Sequence, residues 1–373
     1  MPTPEEDLQA AMLDAYPELD AVLEAAGEDP VYLVGGAVRD LLLRRGRADI
    51  DLVVEGDAAA LAARLGAEPV EHKRFATAKV TLDGHEVDIA TARSETYPHP
   101  GALPEVEPAR LEDDLARRDF TINAMAIPLS GEPELIDPRH GHADLEDGVL
   151  RVLHERSFVD DPTRALRAAR YMARFGLLAE PRTEELLRKA DLGTVSDDRR
   201  EAELLRVAGE PEAARAFELL AEWCLVQPRE GGVELATRVA NLLAAPPWEG
   251  IAPRDRAVLV AAVGPAGGEA ELADAAPRRP SDAVELARAR GPVELVVARA
   301  LGAEWLDRYL EEWSAIQLEI DGEDLIAAGV PQGPALGGAL REVLRRKLDG
   351  EIGGREQELE VALEAARRPD EVG

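Results

Sequence analysis

The sequence predicts an α+β fold in which a small mixed sheet with helices precedes a long all-helical region. Three observations lead to this prediction. Short β-forming runs alternate with helical stretches as far as about Asp137, and strand signals become rare after about Asp160. The composition also favours helix, because Ala, Leu, Glu and Arg dominate and aromatic residues make up only 4%. We therefore expect a mixed-sheet head followed by an all-helical neck, body and tail.

Hydrophobic periodicity and turn residues predict the elements of the head. Apolar residues at helical spacing indicate helices, and short apolar or alternating runs indicate strands. Asp57 stands at an N-cap position, and Asp83-Gly84 is a turn pair typical of tight hairpins. The predicted elements are a helix over Glu5–Ala26, a strand over Val31–Val34, a helix over Ala37–Arg45, a strand over Ile50–Val54, a helix from Asp57 to Leu65, strands over Thr77–Leu82 and His85–Thr91, and a short strand pair over Ala124–Pro128 and Leu135–Asp137.

The second half of the chain is predicted to be helical. Helices are expected first over Thr163–Phe175, Glu184–Ala190 and Arg199–Val207, and helical stretches then continue to Arg368. A segment rich in Gly and Pro, Gly264–Pro280, is a candidate linker. We therefore divide the chain into a head (1–150), a neck and body (151–265) and a tail (266–373).

Composition limits the cellular setting and the partners. No apolar run is long enough to cross a bilayer, and the first residues lack the pattern of a signal peptide. Cys224 is the only cysteine, which excludes an internal disulfide. We expect a cytoplasmic protein and predict no protein partner. The net charge of −31 argues against a nucleic-acid partner, but four arginines cluster between Arg164 and Arg174 and could line a basic cleft.

Two glycines and two aspartates form the first candidate site. Gly35-Gly36 ends the first predicted strand, and Asp49-Ile50-Asp51 enters the second. Side chains two apart in a strand share a face, so Asp49 and Asp51 are expected to hold two Mg²⁺ ions together. Such ions can activate an attacking hydroxyl and stabilise a leaving pyrophosphate. The glycine turn lets backbone N–H groups approach phosphate, and Arg39 can hold a triphosphate oxygen.

A third carboxylate would complete this site. Asp88 is the first candidate, because its neighbours Val87 and Ile89 face the other side of the strand. Glu86 shares the face of Asp88 and could serve instead. Taken singly, a glycine pair, an Asp-x-Asp pair or an acid at a strand edge has an ordinary structural explanation. Their combination in a strand, turn, helix and strand favours nucleotide chemistry.

These residues resemble the head domain of the class II tRNA nucleotidyltransferase and bacterial poly(A) polymerase family, a branch of the polymerase-β-type superfamily. The segment Leu115–Ala126 is similar to the family's second motif. The resemblance implies a polymerase-β-type head, in which Arg118 contacts the triphosphate and Asp119 recognises the ribose. Ile136-Asp137-Pro138 and Asp144 resemble a short connecting motif, although His140 stands where a glycine is usual.

The segment Asp160–Arg170 resembles the family's base-reading Glu-Asp-x-x-Arg motif, with Asp160 in place of the usual Glu. Cytosine and adenine each present an amino donor beside a ring-nitrogen acceptor, and uracil and guanine present the reverse order. Asp161 can accept from the amino group while Arg164 donates to the ring nitrogen. Arg167 and Arg170 share a helix face with Arg164, and within the family such arginines also contact the nucleotide. A helix cap with a solvated arginine stripe is the structural alternative.

We therefore predict template-independent addition of C and/or A to the 3′ end of tRNA, using CTP, ATP and Mg²⁺ and releasing pyrophosphate. Whether CCA, CC or A alone is added stays open. Asp321–Gly337 resembles the family's C-terminal segment, which helps to hold tRNA, although a helical hairpin that only packs fits equally. A poly(A) polymerase acting on other RNA is one alternative. A catalytically silent nucleotide- or RNA-binding module is another, and small-molecule nucleotidylation is a third.

Overall fold

The computed structural model describes residues 8, 11–12, 14–45, 49–66, 77–131, 134–265 and 267–367. The chain forms two compact units, Met1–Gln227 and Pro228–Gly373. The first contains the mixed sheet together with helices, and the described part of the second is helical. The predicted α+β architecture is confirmed. The division at residues 150 and 265 stays a prediction.

The described part of the first unit is built around a five-stranded mixed sheet. The strands of the chain are β1 (Val31–Val34), β2 (Ile50–Val54), β3 (Thr77–Leu82), β4 (His85–Thr91), β5 (Arg93–Thr96), β6 (Glu105–Pro108), β7 (Ala126–Pro128), β8 (Val149–Leu150) and β9 (Leu178–Ala179). The central sheet has the order β3-β4-β2-β1-β7, while β5 pairs with β6 and β8 pairs with β9. Only β2 and β4 run parallel within the central sheet.

Strand register decides which side chains face the core. Asp51 of β2 lies opposite Asp88 of β4. Their neighbours Leu52 and Ile89 are buried on the other face. The turn Asp83-Gly84 joins β3 to β4, and both of its residues have positive φ angles, +48° and +83°. Two positive φ angles suit the right-handed twist of a tight hairpin, so this turn fixes the register of β3 against β4.

The helices of both units are mostly short. They are α1 (Leu19–Ala26), α2 (Gly36–Leu42), α3 (Ala58–Arg64), α4 (Leu111–Ala116), α5 (Gly141–Glu146), α6 (Ser157–Asp160), α7 (Thr163–Phe175), α8 (Pro181–Leu187), α9 (Asp197–Gly209), α10 (Ala213–Glu222), α11 (Gly232–Leu242), α12 (Arg254–Val263), α13 (Gly268–Asp274), α14 (Pro280–Arg288), α15 (Pro292–Leu301), α16 (Trp305–Arg308), α17 (Gly322–Ala327), α18 (Pro334–Leu348) and α19 (Arg355–Ala366). None of the described helices is both long enough and apolar enough to span a membrane.

Several predicted boundaries are wrong for local reasons. The leading helix was expected over Glu5–Ala26, of which residues 5–7, 9–10 and 13 lie outside the described residues. The described residues Leu8, Ala11, Met12, Asp14 and Ala15 are helical, but a turn that contains Pro17 separates them from α1, which begins at Leu19. Proline lacks the N–H that a helix interior needs. The second helix ends at Leu42 rather than Arg45, before Arg44 adopts a φ of +50°.

For two further segments, the structure differs from the predicted type of element. The expected strand at Leu135–Asp137 is reduced to a bridge between Ile136 and Ala126. The candidate linker Gly264–Pro280 contains α13, whose Glu269 is buried and bonded to Arg229. This segment is therefore packed into the second unit, because a buried ion pair ties it to the same helical body.

The basic residues of the predicted tail have acidic partners. Arg345 and Arg346 both bond to Glu342, and these guanidiniums lower the pKa of that carboxyl to about 2. Lys347 bonds to the buried Glu358. The contact from Lys347 to Glu358 connects α18 to α19, beside a core that includes Leu325 and Val343. Most of the positive charge on α18 is therefore balanced within the unit.

Candidate active site

One cleft in the first unit contains every residue predicted to act in catalysis or nucleotide binding. Its volume is about 1200 Å³. The predicted residues that line it are Gly35, Gly36, Arg39, Asp49, Asp51, Asp88, Arg118, Asp119, Asp161, Arg164, Arg167 and Arg170. They come from β2, β4, α2 and α7 and from the segment that follows α4. Folding thus brings residues from five separate stretches of sequence to one place.

Three carboxylates line one wall of the cleft. Asp51 pairs in register with Asp88, and Asp49 shares the face of Asp51 because it lies two residues earlier. Burial raises the pKa of Asp51 to about 6, and the negative charges of Asp88 and Asp49 add to that rise while Arg118 opposes it. Glu86 does not line the cleft: it bonds to Lys79 at 3.2 Å. Of the two candidates for a third carboxylate, the geometry therefore favours Asp88.

The carboxylates alone do not form a complete metal site. In the described ranges, no group of three or more His, Cys, Asp or Glu side chains is arranged to hold a metal ion. Magnesium commonly takes only one or two protein carboxylates and completes its shell with water and substrate phosphates. The oxygen-only donor set, and the raised pKa of Asp51 among like charges, fit a cation that arrives with a triphosphate.

Gly35 allows a guanidinium and a carboxylate to lie close to the backbone. Its φ is +67° and its ψ is −127°, a conformation that residues with a side chain rarely adopt. A Cβ placed there would lie 2.8 Å from Nη1 of Arg118 and 3.9 Å from Oδ2 of Asp51. The backbone conformation therefore favours glycine here, and the guanidinium would have to shift to admit a larger side chain.

The tandem arginines after α4 are held by one buried carboxylate. Nε and Nη2 of Arg117 both donate to Oδ1 of Asp114, at 2.9 and 2.7 Å. Nε and Nη2 of Arg118 donate to Oδ2, at 3.2 and 2.9 Å. Burial alone would raise the pKa of Asp114, but the two arginines hold it below its usual range. Asp114 is therefore ionised at neutral pH.

Arg39 lines the cleft but is largely occupied by protein contacts. It is 4% exposed, donates to Asn123 at 2.6 Å and to Asp40 at 2.8 Å, and its guanidinium lies 4.4 Å from the ring centroid of Phe175. These contacts give Arg39 a role in joining α2 to α7. A direct contact between Arg39 and a triphosphate stays a prediction.

Asp119 and Arg167 form an ion pair at the floor of the cleft. Oδ2 of Asp119 accepts from Nε of Arg167 at 2.8 Å, and Oδ1 accepts from Asn123 at 2.9 Å and from the N–H of Phe120. Burial would raise the pKa of Asp119, but Arg167 and the amide of Asn123 lower it to about 2. Arg167 also donates to the hydroxyl of Tyr171. Asp119 therefore stays ionised and fixes the orientation of Arg167.

The predicted base-reading pair is held on both sides. Asp161 accepts from Thr163 and, at 2.9 Å, from Arg199, and all its hydrogen bonds given by the structure fall on Oδ1. Arg164, 5% exposed, donates to the carbonyl of Arg117 at 2.7 Å and to the hydroxyl of Tyr97 at 3.3 Å. The two side chains are thus kept in place without a direct bond between them.

The remaining arginines of α7 are balanced by buried acids. Arg170 lies 3.6 Å from Glu203 and 3.3 Å from Glu210, and Arg174 donates to Glu210 at 2.7 Å. Both glutamates are buried. The arginine stripe predicted from helical spacing therefore lines the cleft, but it is not a free surface of positive charge.

Sequence analysis missed three residues of this site. Asp114 holds both tandem arginines, Arg199 holds Asp161, and Tyr97 contacts Arg164. The spacing of Asp114, three and four residues before the arginines, was a usable signal, since such pairs are neighbours on a helix. For Arg199 and Tyr97 the partners lie 38 and 67 residues away along the chain, and no local pattern indicates them.

The head matches a known family. Residues 31–151 match the family described as the poly A polymerase head domain. This range begins at β1 and ends just after β8, so it covers the central sheet and the tandem arginines but not α7.

Individual relatives extend the similarity over most of the chain. An A-adding tRNA nucleotidyltransferase from Halalkalibacterium halodurans is 42% identical over 51% of this chain, which spans about half (48%) of that relative's length. A CC-adding tRNA nucleotidyltransferase from Deinococcus radiodurans is 35% identical over 91% of both chains. A solved structure, the Thermotoga maritima CCA-adding enzyme complexed with tRNA, is 30% identical and superposes with a TM-score of 0.72 over 97% of this chain and 98% of that one.

Proposed function

The chain belongs to the class II family of tRNA nucleotidyltransferases, and from this we propose that it adds C and/or A to the 3′ end of tRNA without a template. The 3′-hydroxyl of tRNA attacks the α-phosphate of CTP or ATP, a new ester bond forms, and the bond to the leaving pyrophosphate breaks. The observation that carries the proposal is the single cleft, in which carboxylates, tandem arginines and a base-reading pair face one space. A cytoplasmic location forms part of the same proposal.

Asp49 and Asp51 are proposed to hold Mg²⁺, with Asp88 as the third acid of the same wall. Magnesium would neutralise charge on the attacking and leaving oxygens once the triphosphate is bound. Without a bound cation, the pKa of Asp51 is raised to about 6, because the side chain is buried and lies beside two other acids. Three carboxylates this close together favour the binding of a cation. In a protein that only binds nucleotide, they would repel the phosphates.

Arg118 is proposed to bind the triphosphate beside Gly35. Its guanidinium faces the glycine turn and Asp51, and it is only 16% exposed. A guanidinium presents a fork of donors that matches phosphate oxygens, and such charge-assisted bonds are about twice as strong as neutral ones. Asp119 would bind the ribose 2′-hydroxyl and Arg167 the nucleotide, both from the floor of the cleft.

Asp161 and Arg164 are proposed to choose the base. Oδ2 of Asp161 would accept from the amino group of cytosine or adenine, and Arg164 would donate to the ring nitrogen. Uracil and guanine would leave buried groups unpaired, at a cost of about 1–3 kcal/mol for each. The Ser157, Tyr97 and Arg117 contacts fix Arg164, so the protein itself supplies the template.

The alternatives are less well supported by the same residues. A silent binding module would not need the three carboxylates. A small-molecule nucleotidyltransferase is not expected to resemble a tRNA nucleotidyltransferase over 91% of the chain, as this protein does. Poly(A) polymerase activity shares all the chemistry, and only the choice of products separates it from C and A addition.

Incubation with defined RNAs tests the proposal. Transcripts of tRNA that end before the CCA sequence, after C, and after CC are mixed with labelled CTP or ATP and Mg²⁺, and the products are sequenced. We expect addition of C, A or both, followed by termination. An unrelated RNA serves as control, and long A-tails on that RNA would indicate a poly(A) polymerase. No incorporation into any tRNA would overturn the proposed function.

A further inference from the structure

Arg117 and Arg118 are consecutive, yet their guanidiniums meet at one carboxylate. Consecutive residues on a helix point about 100° apart. Both side chains nevertheless turn back to Asp114, one turn earlier on α4, and each takes one of its oxygens through Nε and Nη2. Asp114 thus draws two diverging cations to a common point.

The side chain of Asp114 is shielded from solvent, so it can act only through the groups that it contacts inside the protein. The side chain is fully buried, and the arginines are 17% and 16% exposed. Oδ1 also accepts from the backbone N–H of Arg93, at 3.4 Å. Two neighbouring guanidiniums repel each other, and a buried ionised carboxylate between them cancels that repulsion.

The two arginines contact different parts of the cleft lining. Nη1 of Arg117 donates to Glu95 at 2.7 Å, and the carbonyl of Arg117 accepts from Arg164. Nη1 of Arg118 lies against Gly35 and the carbonyl of Asn123. Removal of Asp114 would free Arg118 to swing away from Gly35, or toward the negative charge of Asp51.

We propose that Asp114 is a positioning residue that holds Arg118 in the orientation for binding the triphosphate. It touches neither nucleotide nor metal itself. This inference rests on the proposed function, in which Arg118 contacts the triphosphate. A carboxylate repels phosphate directly. Here a fully buried one would instead increase the affinity for phosphate, because it holds an arginine in place.

The test compares the affinities for CTP and CMP. Asp114→Asn keeps the shape of the side chain but removes its charge. Calorimetry with Mg²⁺ and without tRNA should show CTP binding at least tenfold weaker, while CMP binding stays within about twofold of wild type. In the Arg118→Ala background, the same substitution should change CTP affinity by less than threefold, because effects of coupled residues are not additive. A role in general stability alone would lower both affinities together, or leave both unchanged.

Two controls keep the outcomes distinct. Glu180→Gln alters a carboxylate that caps α8 through the N–H of Thr183 and does not line the cleft; its ratio of CTP to CMP affinity should equal that of wild type. If Asp114→Asn does not fold, Asp114→Glu takes its place, since glutamate keeps the charge but displaces the carboxylate from the two arginines by one methylene group. An unchanged ratio in the variant that folds, or additive effects, would overturn the inference. Failure of wild type itself to bind either CTP or ATP would instead refute the proposed function; if it binds only ATP, the same comparison is made with ATP and AMP.

Discussion

Replacement of Gly35 by alanine should have two effects, backbone strain and displacement of a guanidinium in the cleft, and comparison with a control glycine separates them. The substitution places a side chain at φ +67° and ψ −127°, which costs about 1–3 kcal/mol in the folded state. Stabilities of folded domains are about 5–15 kcal/mol, so the variant should still fold. Urea denaturation should show that loss in the free energy of unfolding.

The larger effect is expected on nucleotide binding. The new Cβ would lie 2.8 Å from Nη1 of Arg118, where ordinary contacts between heavy atoms are about 3.5 Å, so the guanidinium must shift by roughly 0.7 Å. A charge-assisted hydrogen bond contributes about 1.5–3 kcal/mol, and its loss would weaken CTP binding roughly tenfold to a hundredfold. Calorimetry with CTP and Mg²⁺ measures this directly.

Gly27 provides a matched control. It caps α1 with φ +64° and ψ −114°, nearly the backbone conformation of Gly35, but no atom lies within 4 Å of a Cβ built there. Gly27→Ala should therefore lose a similar amount of stability and bind CTP as wild type does. Equal CTP affinities in the two variants would refute the assignment of Gly35 and Arg118 to the triphosphate.

Three further substitutions probe the remaining roles. Asp51→Ala should lower incorporation of labelled CTP or ATP into tRNA by at least a thousandfold, while nucleotide binding without metal changes little; near-normal activity would refute the carboxylate assignment. Arg164→Ala should reduce the preference for C and A over U by roughly tenfold or more in competition assays, and an unchanged preference would contradict the base-reading role. Asp119→Asn should lower the free energy of unfolding by roughly 2 kcal/mol at pH 7, because the folded pKa of about 2 lies below the ordinary value of 3.8. The gap between this variant and wild type should close as the pH falls from about 4 to about 2, and a gap that persists at pH 2 would refute the ionised pair with Arg167.

The sequence predicted four of the five strands of the central sheet at both ends, but it did not predict β5 and β6. The boundaries of β2, β3 and β4 agree with prediction at every residue, since alternation of buried and exposed residues and the Asp83-Gly84 turn act locally. The same period placed Asp49, Asp51 and Asp88 toward one face. Helix α7 also agrees at both ends, because Pro162 precedes it and Gly176, with φ +69°, ends it.

The parts that could not be predicted depend on distant partners. Helical spacing identified Arg167 and Arg170 as cleft residues, but it did not show that Asp119 or Glu203 balances them. In the same way, Arg39 was expected to be open to phosphate, and the structure surrounds it with Asn123 and Phe175. Which charges are already neutralised is a property of tertiary packing, and no short window of sequence contains it.

The in-register pairing of Asp51 with Asp88 also limits which insertions this chain can tolerate. A shift of β4 by one residue along β2 would turn Val87 or Ile89 toward the cleft and bury an acid in the core. Loss or gain of a single residue inside β4 should therefore abolish catalysis even where the fold survives, whereas length changes beyond the paired strands leave this alignment intact. The tight hairpin at Asp83-Gly84 sets only the register of β3 against β4, so a change in its length need not move Asp88 along β2.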